Sequence, residues 1–191
     1  MPAFYITIDG NPIATVSTEG NEVLSMSISG TRIEENTAHL NFSGGPQGTY
    51  LTWIPELPLK EGQVVLVKFL EHGESSCAGK TIDELFPDEE VDPNIDFTPT
   101  PEIFAELRSR QRFRNRYSFK LAATDIVVND VTRPDDHGFG FHVLWNSFTP
   151  ERARFSLHSY TLDELESKKP GNYYAEGRLS FGAVVEFVVS A

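Results

Sequence analysis

The chain has 191 residues, 39% of them apolar, which is enough to build a sizeable core in one large domain or two small ones. A net charge of −12 argues against a nucleic-acid-binding surface, which has to be basic to displace phosphate counterions. The apolar runs are too short to span a bilayer, no secretory signal is visible, and the single cysteine, Cys77, fits a reducing compartment. We therefore expect a bacterial-type cytoplasmic protein that does not bind membranes.

Residues 1–72 are predicted to form a first unit of six short strands. Ala3–Ile8 and Ile13–Ser17 alternate apolar and polar residues on either side of a glycine turn. Val23–Ser29 places apolar residues on one face and serines on the other, which is typical of a strand with one solvated face. Pro55 and Pro58 exclude a central position in a sheet for their segment. The other predicted strands cover residues 38–42, 50–54 and 64–70.

Residues 73–116 have the composition of a connector that is first acidic and proline-rich and then arginine-rich. Residues 83–96 contain seven carboxylates. Thr100 followed by Pro101 predicts the start of a short helix, with a capping hydroxyl and a proline at the first helical position. Arginine then occupies every second position from Arg108 to Arg116. We interpret these arginines as neutralising the seven carboxylates of the same connector, while binding of an anion or nucleic acid is the alternative.

Residues 117–191 are predicted to form a second unit that repeats the apolar pattern of the first. A shift of 115 residues superimposes the pattern of residues 4–42 on residues 119–157, and a shift of 120 later aligns Leu59 with Leu179. A capping box at Thr161–Glu164 predicts one short helix in this unit. The expected fold is all-β and mainly antiparallel, a tandem duplication of a six-stranded sandwich or barrel-like unit. The units are either separate domains or halves that share one core across a pseudo-twofold axis.

The first unit carries the run Phe4-x-Ile6-x-Ile8-Asp9-Gly10-Asn11-Pro12, then Val23-Leu24-Ser25, Trp53, Leu59 and Gly62-x-Val64. In these residues the chain resembles a group of small uncharacterised bacterial proteins that contain one copy of such a unit. The resemblance covers roughly the first 70 residues and implies no activity. The opening strand also resembles that of the type VI secretion tube protein, but the later strands and the C-terminus depart from that pattern.

No catalytic motif, cofactor loop or metal motif can be identified, so we assign no catalytic residue and predict no cofactor and no metal ion. Asp135 and His137 could share a strand face, and His39 and His158 lie in or next to equivalent strands of the two units. A metal or general-base site would need at least three such groups to converge. An enzyme is accordingly the less favoured interpretation.

The favoured interpretation is a non-enzymatic protein-binding protein, for example an acidic immunity-type protein that neutralises a basic partner. The alternative is an enzyme or small-molecule-binding protein with its site between the two units, using His137, Asp135, His39 or His158. Carboxylates are expected to contact the partner, and Trp145 is a candidate interface anchor, although a packing role is equally open. The predicted contacts are Asp88, Glu89, Glu90, Asp92, Asp135, Asp136 and Trp145.

Overall fold

The computed structural model describes residues 1–88 and 98–190, which form twelve strands and three short helices. The strands of the first half are β1 (Ala3–Ile8), β2 (Asn11–Ser17), β3 (Val23–Thr31), β4 (Ala38–Gly45), β5 (Leu51–Leu59) and β6 (Val64–Leu70). Helices α1 (Ile82–Leu85) and α2 (Pro101–Ser109) follow. The second half contains β7 (Ser118–Ala123), β8 (Ile126–Val131), β9 (Gly138–Asn146), β10 (Arg152–Tyr160), α3 (Leu162–Glu166), β11 (Asn172–Ser180) and β12 (Val184–Ser190).

The strands form two six-stranded antiparallel sheets, and each sheet runs through both halves of the chain. The first sheet has the order β2-β1-β6-β12-β7-β8, and the second has the order β11-β10-β9-β3-β4-β5. The halves therefore meet at two seams, where β6 pairs with β12 and β3 pairs with β9. The strand order within each half is the same, as the repeated apolar pattern predicts. A duplication as its origin, and the unit boundaries, stay predictions.

A single apolar cluster fills the space between the two sheets. It includes alternate residues of β1, β6, β7 and β12 from one sheet and of β3, β4, β9 and β10 from the other. The ring of Phe4 stacks on Phe69 at 4.9 Å, and the ring of Phe187 stacks on Phe141 at 4.8 Å across the sandwich. Since these residues come from both halves, the two predicted units share one core instead of forming separate domains.

Helices α2 and α3 begin where the sequence predicts, and α1 is a second helix in the connector, for which the sequence predicts one. The side chain of Thr81 accepts a hydrogen bond from the backbone N–H of Glu84 at the start of α1, and Thr161 does the same for Glu164 at the start of α3. Thr100 caps α2, whose first residue is Pro101. None of the helices among the described residues has the length and apolarity needed to cross a bilayer.

Strand β5 is longer than predicted but lies where its prolines require. It extends to Leu59, and as an edge strand it tolerates Pro55 and Pro58, which have no N–H to donate. The register shifts along its pairing with β4, and Glu56 between the prolines has a φ of 41°. This irregular segment borders the polar face of the second sheet.

Replacing Phe187 with alanine tests the shared core. Its buried ring contacts Phe119, Phe139 and Phe141, so we expect Phe187→Ala to lower the free energy of unfolding by about 3–5 kcal/mol in urea denaturation. Val127→Ala is the control, because Val127 is 81% exposed and should change stability by less than about 0.5 kcal/mol. Two separate unfolding transitions in the wild-type protein would contradict a single core.

Candidate binding face

The outer face of the second sheet carries two of the cavities that the described residues form. We call the outward side chains of β3, β4, β9, β10 and β11 the polar face. The serines that the sequence places on a solvated strand face, Ser25, Ser27 and Ser29, lie at its centre on β3. In the ladder across the seam, Ser27 lies directly opposite His142 and Ser29 opposite Gly140.

Two stacked histidines lie beside the seam. The rings of His142 and His158 are 5.3 Å apart, and His158 also stacks on Tyr173 at 5.4 Å. Glycine at position 140 makes room for them, since a Cβ there would lie 2.5 Å from Nε2 of His142. Burial lowers the pKa of both histidines, and His158 lowers that of His142 further. Both imidazoles are therefore neutral at pH 7.

A cavity of about 380 Å³ on the first-half side of the seam carries two carboxylates, and we call it the acidic cavity. Glu34 and Glu56 line it together with Tyr50 and the residues Ser27, Ser29, His39, Asn41 and Tyr160. Glu34 accepts a hydrogen bond from the backbone N–H of Thr31 at 3.2 Å, which holds its carboxylate in place. Burial raises the pKa of Tyr160 to about 12, so its phenol stays neutral. The cavity combines negative charge, neutral donors and acceptors, and aromatic rings.

A cavity of about 460 Å³ on the second-half side carries two arginines, and we call it the arginine cavity. Arg154 on β10 and Arg178 on β11 lie directly opposite one another in the ladder. The rest of the lining includes His142, Leu144, Ser156 and Glu176. Because Ser27 lines one cavity and its cross-strand partner His142 lines the other, the two cavities adjoin at the β3–β9 seam.

The two cavities occupy equivalent positions in the two halves. The shift of 115 residues that aligns the apolar pattern, followed by the shift of 120, maps five lining residues of one cavity onto five of the other. The equivalent pairs are Ser27 and His142, Ser29 and Leu144, His39 and Arg154, Asn41 and Ser156, and Glu56 and Glu176. Sequence reasoning missed both cavities. The signal that could have found them is the polar and charged residues at the outward strand positions of the repeat. The comparison of the two halves used only the apolar, inward positions.

The structure separates the predicted contact residues into exposed and buried ones. Asp88 and Asp135 are exposed. Asp136 is 1% exposed and Trp145 is 3% exposed, so neither contributes to the surface. The indole N–H of Trp145 donates to the backbone oxygen of Pro150 at 3.1 Å, which is the packing role that the sequence left open. The remaining predicted contacts, Glu89, Glu90 and Asp92, lie outside the described residues.

The carboxylate of Asp136 has an internal function instead. It accepts hydrogen bonds from the backbone N–H and guanidinium of Arg133 and from the hydroxyl of Ser159. Arg133 also donates to Glu164 in α3 at 2.7 Å and 3.0 Å, and these hydrogen bonds lower the pKa of Glu164. The network attaches α3 to the loop before β9.

Of the four residues of the alternative site hypothesis, Asp135 and His137 line the same cavity, and His39 and His158 lie elsewhere. His39 lines the acidic cavity, and His158 stacks on His142. His137 and Asp135 line a third cavity of about 240 Å³ with Arg112. Burial lowers the pKa of His137, and the charge of Arg112 lowers it further. Within residues 1–88 and 98–190, no three histidine, cysteine, aspartate or glutamate side chains converge as metal ligands would.

The arginine run has mostly structural contacts. Arg108 forms ion pairs with Asp163 and Glu166 of α3, and Arg110 pairs with Glu106 one turn earlier in α2. Arg114 donates to the backbone oxygens of Thr31, Glu34 and Glu35 and to the hydroxyl of Tyr117. These contacts agree with a neutralising function, but the carboxylates of the ion pairs belong to the helices.

Comparisons of the chain with protein-family models, with curated proteins and with solved structures each find no match.

Asp136 and Asp135 form a matched pair for testing the buried network. We expect Asp136→Ala to lower the free energy of unfolding by about 3–5 kcal/mol, because it leaves Arg133 and Ser159 without their shared acceptor. Asp135→Ala removes the same charge from an exposed side chain and should change stability by less than about 0.5 kcal/mol. Urea denaturation measures both. Equal losses would contradict the distinction between them.

The histidine pair predicts a pH dependence of stability. Because the pKa values of His142 and His158 are lowered in the folded state, the unfolded chain binds more protons below its own histidine pKa. Stability is therefore fully present above about pH 6.5, the ordinary histidine pKa, and falls as the pH decreases towards the folded-state values. Urea denaturation between pH 7.5 and 5 should show this loss. His142→Gln should make the slope shallower, and an unchanged slope would contradict the assignment.

Proposed function

We propose that the protein is a non-enzymatic binding protein whose acidic first half contacts a basic partner. The observation that carries this proposal is the distribution of charge. Residues 1–88 contain 12 acidic and 4 basic side chains, whereas residues 98–190 contain 12 of each. The negative charge of the chain outside residues 89–97 thus belongs to its first half.

The acidic residues of the first half also lack lysine and arginine partners within the described residues. Among the described residues, none of the acidic side chains of residues 1–88 forms an ion pair with lysine or arginine. In residues 98–190, by contrast, six acidic side chains pair with arginine. Unpaired exposed carboxylates create a negative potential that attracts a basic partner and accelerates its association.

The acidic cavity is where a basic side chain of the partner would bind. Glu34 and Glu56 would accept hydrogen bonds from an ammonium or guanidinium group, which are stronger than those between neutral groups. Tyr50 is 67% exposed at the rim, and tyrosine rings attract cations. The exposed residues Asp88 and Asp135 are proposed as further contacts. Neutralisation of a basic toxin, the immunity-type function, is the most concrete form of this proposal.

Paired variants test the proposal by pull-down from native lysate. The wild-type protein should retain a basic partner at low salt and release it at high salt, since screening weakens exposed charge pairs. The double variant Glu34→Gln and Glu56→Gln should lose affinity for that partner by about tenfold or more, as expected for charge-assisted hydrogen bonds. The double variant Glu35→Gln and Glu61→Gln removes the same charge outside the cavity and serves as the control.

A defined probe makes the experiment independent of the lysate. A fluorescent oligolysine peptide titrated against the same three proteins should rank them in the same order. Retention that does not depend on salt, or equal binding by the cavity and control variants, would contradict the proposal.

Small-molecule binding between the halves is the second candidate, and one observation favours it. The acidic and arginine cavities adjoin at the seam between β3 and β9, where the alternative hypothesis places a ligand. Each cavity has the size of a site for a small ligand, for which about 300–1,000 Å³ is typical.

A further inference from the structure

Arg154 and Arg178 are placed against each other although they carry like charges. They face each other in the β10–β11 ladder, so their Cβ atoms are about 4.5–5.5 Å apart, as in directly opposite pairs generally. Like charges in this arrangement destabilise a sheet. Both side chains are exposed on the polar face. An anion bound between the two guanidinium groups would offset this repulsion.

Neither arginine has a partner within the described part of the chain. No carboxylate oxygen of these residues lies within 4.0 Å of either guanidinium, and neither donates a hydrogen bond to them. Arg152, two residues earlier on the same strand, has the carboxylate of Glu151 at 3.8 Å. In a chain with 28 acidic and 16 basic residues, two adjacent arginines without an acidic partner stand out against the overall charge.

The cavity around the arginines combines charge with an apolar wall. The half-buried Leu144 contributes apolar surface, while Ser156 and His142 contribute a hydroxyl and an imidazole. Guanidinium groups bind carboxylate and phosphate oxygens through paired hydrogen bonds, which adds geometric specificity to the charge attraction. An apolar wall next to such a pair fits a ligand whose charged group is attached to an apolar body.

Glu176 also lines the cavity, and its negative charge limits how much negative charge the ligand can carry. Its carboxylate lies on the same strand face as Arg178 and opposite Ser156, and it reduces the positive charge of the cavity to one. The equivalent position in the acidic cavity is also a glutamate, Glu56. The arginines are what differ, because the positions equivalent to Arg154 and Arg178 are His39 and Pro58.

We propose that the arginine cavity binds a small organic oxyanion, a carboxylate or a phosphate ester with an apolar body, held between Arg154 and Arg178. This site is separate from the contact with a basic partner and does not depend on it.

Calorimetric titration of the full chain with two probes tests the site. Phenyl phosphate and benzoate share a ring and differ in the oxyanion, so their relative affinities identify the preferred group. At least one of them should bind at one site per chain. Benzyl alcohol, which has the ring without the charge, should bind at least tenfold more weakly than that probe.

Three arginine variants separate a built site from general charge attraction. Arg154→Gln and Arg178→Gln should each weaken binding of the preferred probe about tenfold or more, as expected for the loss of charged hydrogen bonds. Arg152→Gln removes an equal charge from the neighbouring outward position of β10 and should change affinity by less than about twofold, since surface charge alone contributes little. Glu176→Gln should tighten binding.

Several outcomes would overturn the proposal. They are the absence of saturable binding by both probes, an equal effect of Arg152→Gln, and equal binding of benzyl alcohol. Arg154, Arg178 and Glu176 are exposed and Arg152 is half-buried, so thermal unfolding should show nearly the same midpoint for each variant as for the wild-type protein. The double variant Glu34→Gln and Glu56→Gln should bind the oxyanion no more weakly than the wild-type protein, which keeps this test distinct from that of the basic partner.

Discussion

The pairing of β3 with β9 and of β6 with β12 is the interaction on which the rest of the structure depends. Each seam joins the two halves into one sheet, and Met26 opposite Val143 and Val67 opposite Val185 place apolar side chains of both halves in the same core. A slip of one residue at either seam would move these side chains to the outer face. Because the seam strands are central in their sheets, the edges fall on β2, β8, β5 and β11.

The sequence predicts most of the strands but not their neighbours. Alternation in Val23–Ser29 indicates which side chains face inward, since successive residues point to opposite faces of a strand. The threonine caps locate the helices for a similar reason, because capping is a contact between residues three positions apart. Pairing between β3 and β9 joins residues more than a hundred positions apart. The apolar periodicity of a strand carries no information on such a contact. The sequence therefore does not distinguish one shared core from two separate ones.

The candidate site was less predictable because it depends on which charges are paired. Asp135 and Asp136 are neighbours in sequence, yet one is exposed and the other accepts hydrogen bonds from Arg133 and Ser159. Arg152 and Arg154 share a strand face, and among the described residues only Arg152 of the two has a carboxylate oxygen within 4.0 Å. Counting charged residues in the sequence gives the net charge of the chain. Attraction of a ligand depends instead on the charges at one place that have no internal ion-pair partner. That surplus is acidic in the first half and basic at Arg154 and Arg178.

The distance between the charged side chains of the two adjoining cavities explains how opposite charges can persist on one face. Arg154 lies on β10 and Glu56 on β5, four strands apart in the second sheet, which corresponds to about 19 Å at the usual strand spacing. The Debye length at physiological ionic strength is about 8 Å, so solvent ions screen the exposed charges of one cavity from those of the other. The central strands between them, β3 and β9, carry serines and His142, whose pKa is lowered by burial. Each cavity therefore keeps its own charge, and a cation in one and an oxyanion in the other are the ligands that we propose.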